Sequence, residues 1–246
     1  MGPAQILTEN YKITAYLVNL QKRAGLYSIL NIIQDAGMQH AIQLNVNIAD
    51  KKLLWVFTRQ KLVMSRWPKF NEVLTVKTWL RPVTHFVFRD YELFVGEEKV
   101  GACACTFTVI NAETRKMEYL DFTEFNHLCR NDYQLDFEPQ KVSVREEVEN
   151  MAEFQVRNSD IDLNNHVNNT KYAQWILDSV PIDRLRHSDL HEYEINFLAE
   201  TKIGEHVTIQ GYSAVADGPR TLYFRGLRPS DNKAVFSARM KVSDRS

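Results

Sequence analysis

The sequence lacks the features that mark secreted and membrane-spanning proteins. It has only three cysteines in 246 residues, an odd number that argues against a disulfide framework. No apolar run reaches the roughly 18 residues that a transmembrane helix needs. The N-terminal segment MGPAQILTENYKI has no basic stretch followed by an apolar one, so we expect no signal peptide. These absences together predict a cytoplasmic protein without a membrane span.

An excess of charge of one sign is missing as well. The formal net charge is −1, so no global field would attract nucleic acid or an anionic membrane, and we expect no nucleic-acid partner. Apolar residues make up 44% and charged residues 25% of the chain, which is ordinary for a globular protein. The length suits one large domain or two of about 100 to 130 residues.

The cysteines do not suggest a metal site. Cys103 and Cys105 lie in GACACTFTVI, which reads as a strand, so both side chains point to the same face. Cys129 is distant, and no further ligands stand at a useful spacing. We therefore expect buried small hydrophobic residues and no metal or organic cofactor.

Hydrophobic periodicity in the first half predicts a helix followed by strands. From Lys22, the residues Leu26, Ile29, Leu30 and Ile33 recur with helical spacing. A short strand near Tyr11 precedes this helix. Four segments rich in β-branched and aromatic residues follow it: LLWVFTRQKLVMS, EVLTVKTWLRPV, HFVFRDYELFVG and KVGACACTFTVINA.

The second half repeats this plan after an irregular connector. A short strand, EFQVR, begins at Glu153, and the helix TKYAQWILDSV begins at Thr170. The strand-like segments HEYEINFLAE, HVTIQGYSAV, RTLYFRGLRP and KAVFSARMKVS follow. FNEVLTV, from Phe70, resembles IGEHVTI, from Ile203, at an offset of 133 residues. The matching order of elements indicates an internal repeat.

A long helix followed by a meander that wraps it is typical of the hotdog fold. We therefore predict the α+β class and a double hotdog, with two tandem helix-plus-antiparallel-sheet repeats whose sheets join edge to edge. The expected divisions are residues 1–125 for the first copy, 126–150 for the connector and 151–246 for the second copy.

The stretch DLNNHVNNTKY, from Asp162, joins the second short strand to its helix. Asparagine favours turns and helix N-caps, so Asn169 is expected to cap the helix that begins at Thr170. A functional interpretation competes with this one. In an extended loop, Asp162, Asn164 and His166 would point the same way, beside a helix N-terminus suited to an oxyanion. That arrangement favours acyl transfer or hydrolysis of an activated carbonyl.

The run DIDLNNHVNNTKYAQWILDSVP resembles the signature of the acyl–acyl carrier protein thioesterases of plants and bacteria. Members carry D-x-D-x-N-x-H-V-N-N-x-K-Y before a helix, in a double-hotdog architecture. The resemblance implies that Asp162, Asn164 and His166 are catalytic, together with Glu200 on a strand 34 residues after the histidine. Many plant members have cysteine after that glutamate, whereas Thr201 stands here. A carboxylate-activated water is then the implied nucleophile.

The first copy lacks this signature. Its helix is preceded by LVNLQKRAGLY, and Trp67 stands at the repeat position of Glu200. We therefore expect a single catalytic site in the second copy, with the first copy shaping an acyl-chain pocket, as the resemblance implies.

The resemblance also implies an acyl carrier protein as partner, bearing a fatty acyl-phosphopantetheine. Carrier proteins are acidic, so a basic surface is expected. The candidate residues are Lys22, Arg23, Arg59, Lys61, Arg66 and Lys69. Two hotdogs in one chain already imitate a dimer, which leaves a further homodimer open. Three alternatives remain at this point: a thioesterase acting on coenzyme A thioesters, a hotdog dehydratase, and a non-catalytic acyl-thioester sensor.

Overall fold

The computed structural model of the protein describes residues 5–45, 48, 52–82, 86–118, 123–163, 165–214 and 220–245, without the side chains of residues 123 and 124. The strands are β1 Ile6–Lys12, β2 Leu53–Met64, β3 Val73–Leu80, β4 Val87–Val95, β5 Glu98–Asn111, β6 Glu149–Gln155, β7 Ser188–Phe197, β8 His206–Ala214, β9 Arg220–Arg228 and β10 Lys233–Asp244. The helices are α1 Leu26–Leu44, α2 Asn169–Ser179 and α3 Ile182–Arg186. Short 3-10 turns occupy Ala15–Leu17, Thr123–Leu128 and Asn158–Asp160.

The strands form one antiparallel sheet in the order β1-β3-β4-β5-β2-β7-β10-β9-β8-β6. The first five and the last five mirror each other, so each copy contributes an equivalent half. The halves join through β2 and β7, where Lys61 lies opposite Glu194 at the centre of the shared register. The predicted α+β class and the edge-to-edge junction are therefore confirmed.

The two long helices bury their apolar stripes against one face of this sheet. Leu26, Ile29, Leu30 and Ile33 are all buried, as the spacing predicted. The helix α1 begins at Leu26 and not at Lys22, because Lys22 adopts a left-handed conformation with φ of 56° in a turn that precedes the helix. Tyr172, Trp175, Ile176 and Ser179 form the equivalent buried stripe of α2. The short helix α3 was not predicted from the sequence.

The connector between the copies covers the opposite face of the sheet. Its backbone amide at Val142 donates to Asn196 Oδ1 at 2.7 Å, and the amide of Gln140 donates to the Glu194 carboxylate. Ser237 Oγ donates to the Val142 carbonyl at 2.9 Å. Polar side chains of the central strands therefore pair with connector backbone and not with solvent. Glu194, whose second carboxylate oxygen pairs with Arg239, is only 1% exposed.

All three cysteines are buried and reduced. Cys103 and Cys105 share one face of β5 with their sulfurs 3.9 Å apart, and burial raises the pKa of the Cys105 thiol. Among the described residues, no three histidine, cysteine, aspartate or glutamate side chains converge as a metal-ligand set. None of the helices in the described ranges is long and apolar enough to cross a bilayer.

Gly37 allows the close approach of α1 to the sheet. A Cβ atom at this position would lie 2.3 Å from the Tyr91 hydroxyl oxygen. We expect Gly37→Ala to lower the free energy of unfolding by about 1–3 kcal/mol through overpacking, although alanine by itself favours a helix by about 1 kcal/mol. Urea denaturation measures the change.

A Tyr91→Phe background is the matched control, because it removes the clashing oxygen. In that background Gly37→Ala should stabilise the protein or leave its stability unchanged. Equal destabilisation in both backgrounds would contradict the assigned contact.

Candidate active site

The asparagine-rich segment forms a tight turn. Ile161 and Val167 pair as an isolated bridge, and the Asp162 amide donates to the His166 carbonyl at 2.8 Å. The Asn165 amide donates to the Asp162 carbonyl at 3.0 Å, and Asn165 has a left-handed φ of 61°, which asparagine tolerates. The extended loop predicted from the spacing is therefore wrong. We call this segment, residues 161–167, the motif turn.

The structure brings two of the four predicted site residues into direct contact. His166 Nε2 lies 3.2 Å from Glu200 Oε2, and the two side chains are 28% and 41% exposed. Asp162 lies on the same turn, half-buried and joined to His166 through the backbone. Asn164 lies outside the described residues. The pair is thus accessible to a substrate and close enough to share a proton.

Glu200 lies in a turn after β7. The prediction that it lies on the strand is therefore wrong. The strand ends at Phe197, because the next two amides, of Leu198 and Ala199, both donate to the Val235 carbonyl and break the ladder. Arg228 Nη1 donates to the Glu200 carbonyl at 2.8 Å and fixes the turn. Arg228 is itself held by Asp231, and this bond raises the pKa of the guanidinium.

Thr201 connects the glutamate turn to the motif turn and to α2. Its carbonyl accepts from the Val167 amide at 3.0 Å, and its hydroxyl oxygen accepts from the Tyr172 hydroxyl at 2.9 Å. Burial raises the pKa of Tyr172 to about 12, so the phenol stays protonated and continues to donate at neutral pH. The side chain that replaces cysteine here is fully buried and participates in structure.

The N-cap of α2 is Asn168, whereas the sequence predicted Asn169. Asn168 Oδ1 accepts from the Thr170 amide at 3.0 Å, because Asn168 keeps the extended backbone that an N-cap requires while Asn169 is already helical. The amides of Val167 and Asn168 also have acceptors. Among the described residues, no hydrogen-bond acceptor lies within reach of the first-turn amide of Asn169.

Arg115 is a site residue that sequence analysis missed. Its guanidinium forms an ion pair with Glu200 Oε1, so each carboxylate oxygen contacts a different side chain. Arg115 lies in the turn after β5 and therefore comes from the first copy. Nothing in the local sequence NAETRKMEY distinguishes it from an ordinary surface arginine, since the contact depends on how the copies are joined.

Comparison with known proteins identifies the family. The model of the acyl-ACP thioesterase N-terminal domain matches residues 4–122, and that of the C-terminal domain matches residues 143–225. The chain belongs to the acyl-ACP thioesterase family.

Relatives from plants are similar in sequence. The chloroplastic oleoyl-acyl carrier protein thioesterase of Coriandrum sativum is 24% identical over 215 residues, covering 78% of this chain and 58% of that protein. The palmitoyl-acyl carrier protein thioesterase of Gossypium hirsutum, also chloroplastic, is 24% identical over 233 residues, covering 86% and 55%. The chain thus spans little more than half the length of these relatives.

Solved structures confirm the double-hotdog fold. An acyl-ACP thioesterase from Bacteroides thetaiotaomicron superimposes with a TM-score of 0.86 at 21% identity, covering 97% of this chain and 98% of that one. The 12:0-ACP thioesterase of Umbellularia californica gives a TM-score of 0.86 at 17% identity, covering 98% and 95%.

The Tyr172–Thr201 hydrogen bond can be tested by substitution. We expect Thr201→Val to lower the free energy of unfolding by about 1–3 kcal/mol, because the buried Tyr172 hydroxyl loses its acceptor. Thr201→Ser keeps the acceptor and should cost less. Thermal or urea denaturation measures both. If valine and serine proved equally tolerated, the bond would have no structural role.

Proposed function

We propose that the protein hydrolyses fatty acyl thioesters carried by acyl carrier protein. The observation that carries the proposal is the contact between His166 Nε2 and Glu200 Oε2, at 3.2 Å beside the N-terminus of α2. A carboxylate and an imidazole in contact form a general base that can activate water. Membership in the acyl-ACP thioesterase family supports the choice of substrate.

Hydrolysis begins with water held by Glu200 and His166. The carboxylate removes a proton from the water while the oxygen attacks the thioester carbonyl. A tetrahedral intermediate forms, with its negative charge on the former carbonyl oxygen. We assign the stabilisation of that charge to the Asn169 amide and the positive end of the α2 dipole.

The intermediate then collapses and breaks the carbon–sulfur bond. The proton that Glu200 took from the water passes to His166 across their contact, and His166 donates it to the departing thiolate of the phosphopantetheine arm. Fatty acid and free thiol are released, and Glu200 is ionised again. Asp162 and Asn164 are assigned to this site through the motif, with Asp162 supporting the turn that carries His166. The mechanism needs no metal or organic cofactor.

We also propose a division of labour between the two copies. Residues 1–125 form the copy that contributes an acyl-chain pocket, 126–150 the connector and 151–246 the copy that carries catalysis. The partner is acyl carrier protein, and a homodimer of the chain is compatible with this role. The plant relatives are chloroplastic, whereas we place this protein in the cytoplasm with its carrier partner.

Thiol release from a chain-length series of acyl carrier protein thioesters tests the function. We expect rapid release by the native protein, and a loss of roughly 100- to 10,000-fold in Glu200→Gln and in His166→Ala, the range for removing general acid–base help. The exposed pair His206 and Glu153, 2.8 Å apart, offers matched controls. Glu153→Gln and His206→Ala should retain full activity.

Coenzyme A thioesters of the same chain lengths serve as the comparison substrate. Faster release from coenzyme A would reassign the protein to the related thioesterase activity. Binding of acyl thioesters without thiol release from either substrate would contradict hydrolysis and indicate a sensor.

Arg115 is proposed as a positioning residue. Arg115→Gln should lower kcat by roughly tenfold with little change in KM, because Glu200 loses one of the two contacts that orient its carboxylate. Arg115→Lys restores a positive charge and should recover part of the loss. If both variants lost the same activity and were also less stable to unfolding, Arg115 would act only by stabilising the fold.

A further inference from the structure

The loop before α1 has the same backbone as the motif turn. Val18 and Ala24 form an isolated bridge, as do the residues 143 positions later. The Asn19 amide donates to the Arg23 carbonyl at 2.9 Å, and the Lys22 amide donates to the Asn19 carbonyl at 2.9 Å. Lys22 has a φ of 56°, close to the 61° of its counterpart in the motif turn. The first copy therefore keeps the frame of a catalytic loop.

The side chains on this frame cannot carry out hydrolysis. Asn19, Gln21 and Arg23 occupy the positions of the predicted catalytic aspartate, asparagine and histidine. Trp67 occupies the position of the glutamate, and its indole N–H donates to the Leu190 carbonyl at 2.9 Å. The carboxylate–imidazole pair is replaced by a guanidinium and an indole, which offer no general base.

This second frame borders a cavity of about 350 Å³. Most of its lining is apolar and includes Leu17, Leu26, Trp67, Leu177, Leu190 and Val242. Neither His166 nor Glu200 lines it. The cavity reaches α2 at its C-terminal turn, whereas His166 precedes the N-terminus, and 11 helical residues span about 16 Å. The cavity is therefore separate from the catalytic pair.

Leu190 on β7 and Val242 on β10, which line the cavity, are smaller than the residues at the equivalent positions of β2 and β5. Leu190 pairs with Val242 across β7 and β10, as Phe57 pairs with Phe107 across β2 and β5 in the repeat-related position. The Phe57 and Phe107 rings stack with centroids 4.8 Å apart, and Phe57 also contacts Phe197 at 4.9 Å. Aromatic rings thus stand in the first copy at the positions that Leu190 and Val242, which line the cavity, hold in the second.

A cationic cleft adjoins the apolar cavity. This cleft, of about 270 Å³, shares Gln21, Arg23, Trp67 and Leu190 with the cavity. Its remaining basic lining residues are Lys22, Arg66, Lys69, His191 and Arg245.

Two of the cationic side chains in the cleft are compensated. Arg23 pairs with Asp189, the one acidic residue among the described residues that line the cleft, and Arg66 pairs with Glu72 and Glu98 outside the lining. Lys22 and Lys69 are exposed, and no carboxylate of a described residue lies within ion-pair distance of either. The cleft therefore suits an anion beside the apolar cavity.

We propose that the first copy retains a second, non-catalytic site for a fatty-acyl chain with an anionic head group. The chain occupies the apolar cavity, and the head group lies in the cationic cleft near Lys22 and Lys69. The choice of an acyl chain rests on the proposed function. Two sources share this chemistry: the carboxylate of the released fatty acid, and the phosphate-bearing arm of an acyl thioester.

Quenching of Trp67 fluorescence by a brominated acyl chain tests the proposal on the full-length protein. The probe is 12-bromododecanoate, kept below its micelle concentration. We expect saturable quenching that disappears in Trp67→Phe, because bromine quenches an indole only at close range. The methyl ester of the probe, which has no charge, should bind more weakly. The coenzyme A thioester of the same acyl chain, tested on Glu200→Gln, supplies the phosphate-bearing source.

Variants of the lining locate the bound molecule. The double variant Lys22→Glu, Lys69→Glu should weaken binding roughly tenfold through charge repulsion. Ser213→Phe, at an exposed position lining the cavity, should reduce quenching by occupying the chain's space. Lys202→Glu is the matched control, because Lys202 is the repeat counterpart of Lys69 on the catalytic side. It should leave Trp67 quenching unchanged.

The outcomes separate this proposal from the proposed function. Quenching by the free acid identifies the product as the ligand, and quenching by the thioester alone identifies the substrate arm. Quenching that survives Trp67→Phe, or that is unaffected by both the lysine reversal and Ser213→Phe, would overturn the second site. Equal binding of the methyl ester would overturn the anionic head group. If thiol release were absent while Trp67 was still quenched, the proposed hydrolysis would be contradicted and the second site would stand.

Discussion

Strands β2 and β7 hydrogen-bond to each other in the middle of the sheet, with Lys61 opposite Glu194. This pairing turns two halves into one continuous sheet and removes an exposed edge from each copy. It also places α1 and α2 side by side on one face and leaves the other face to the connector. The position of each copy relative to the other depends on this register, because a slip by one residue would invert the faces of one strand relative to its partner.

The junction explains why the candidate active site draws on both copies. His166 and Glu200 come from the second copy, whereas Arg115 comes from the end of β5, which pairs directly with the junction strand β2. The Glu200 carboxylate is therefore oriented by side chains that are 34 and 85 positions away in the chain. A second-copy domain without its partner would keep the motif turn and lose one of the two contacts to the glutamate.

Sequence patterns predicted the elements well and the local geometry poorly. The buried stripes of both helices follow from 3.6-residue spacing, which depends only on neighbouring residues. The motif turn was mistaken for an extended loop because the left-handed conformation of Asn165 leaves no mark in the spacing. Arg115 was missed for a different reason: its contact with Glu200 exists only through the pairing of strands that are distant in sequence. The N-cap of α2 was predicted in part, since asparagine was the right residue type but the cap lies one position earlier than predicted.

The two loops before the helices show how one backbone supports different chemistry. Both use an isolated bridge, a left-handed residue and an amide–carbonyl pair to close the same turn. None of these bonds involves the side chains that differ between the copies, so substitution there leaves the frame intact. An imidazole facing a carboxylate can act as a general base, whereas the guanidinium and the indole at the equivalent positions offer none. Because the fold constrains the frame and not the side chains it presents, the copies could diverge at these positions without loss of the shared sheet.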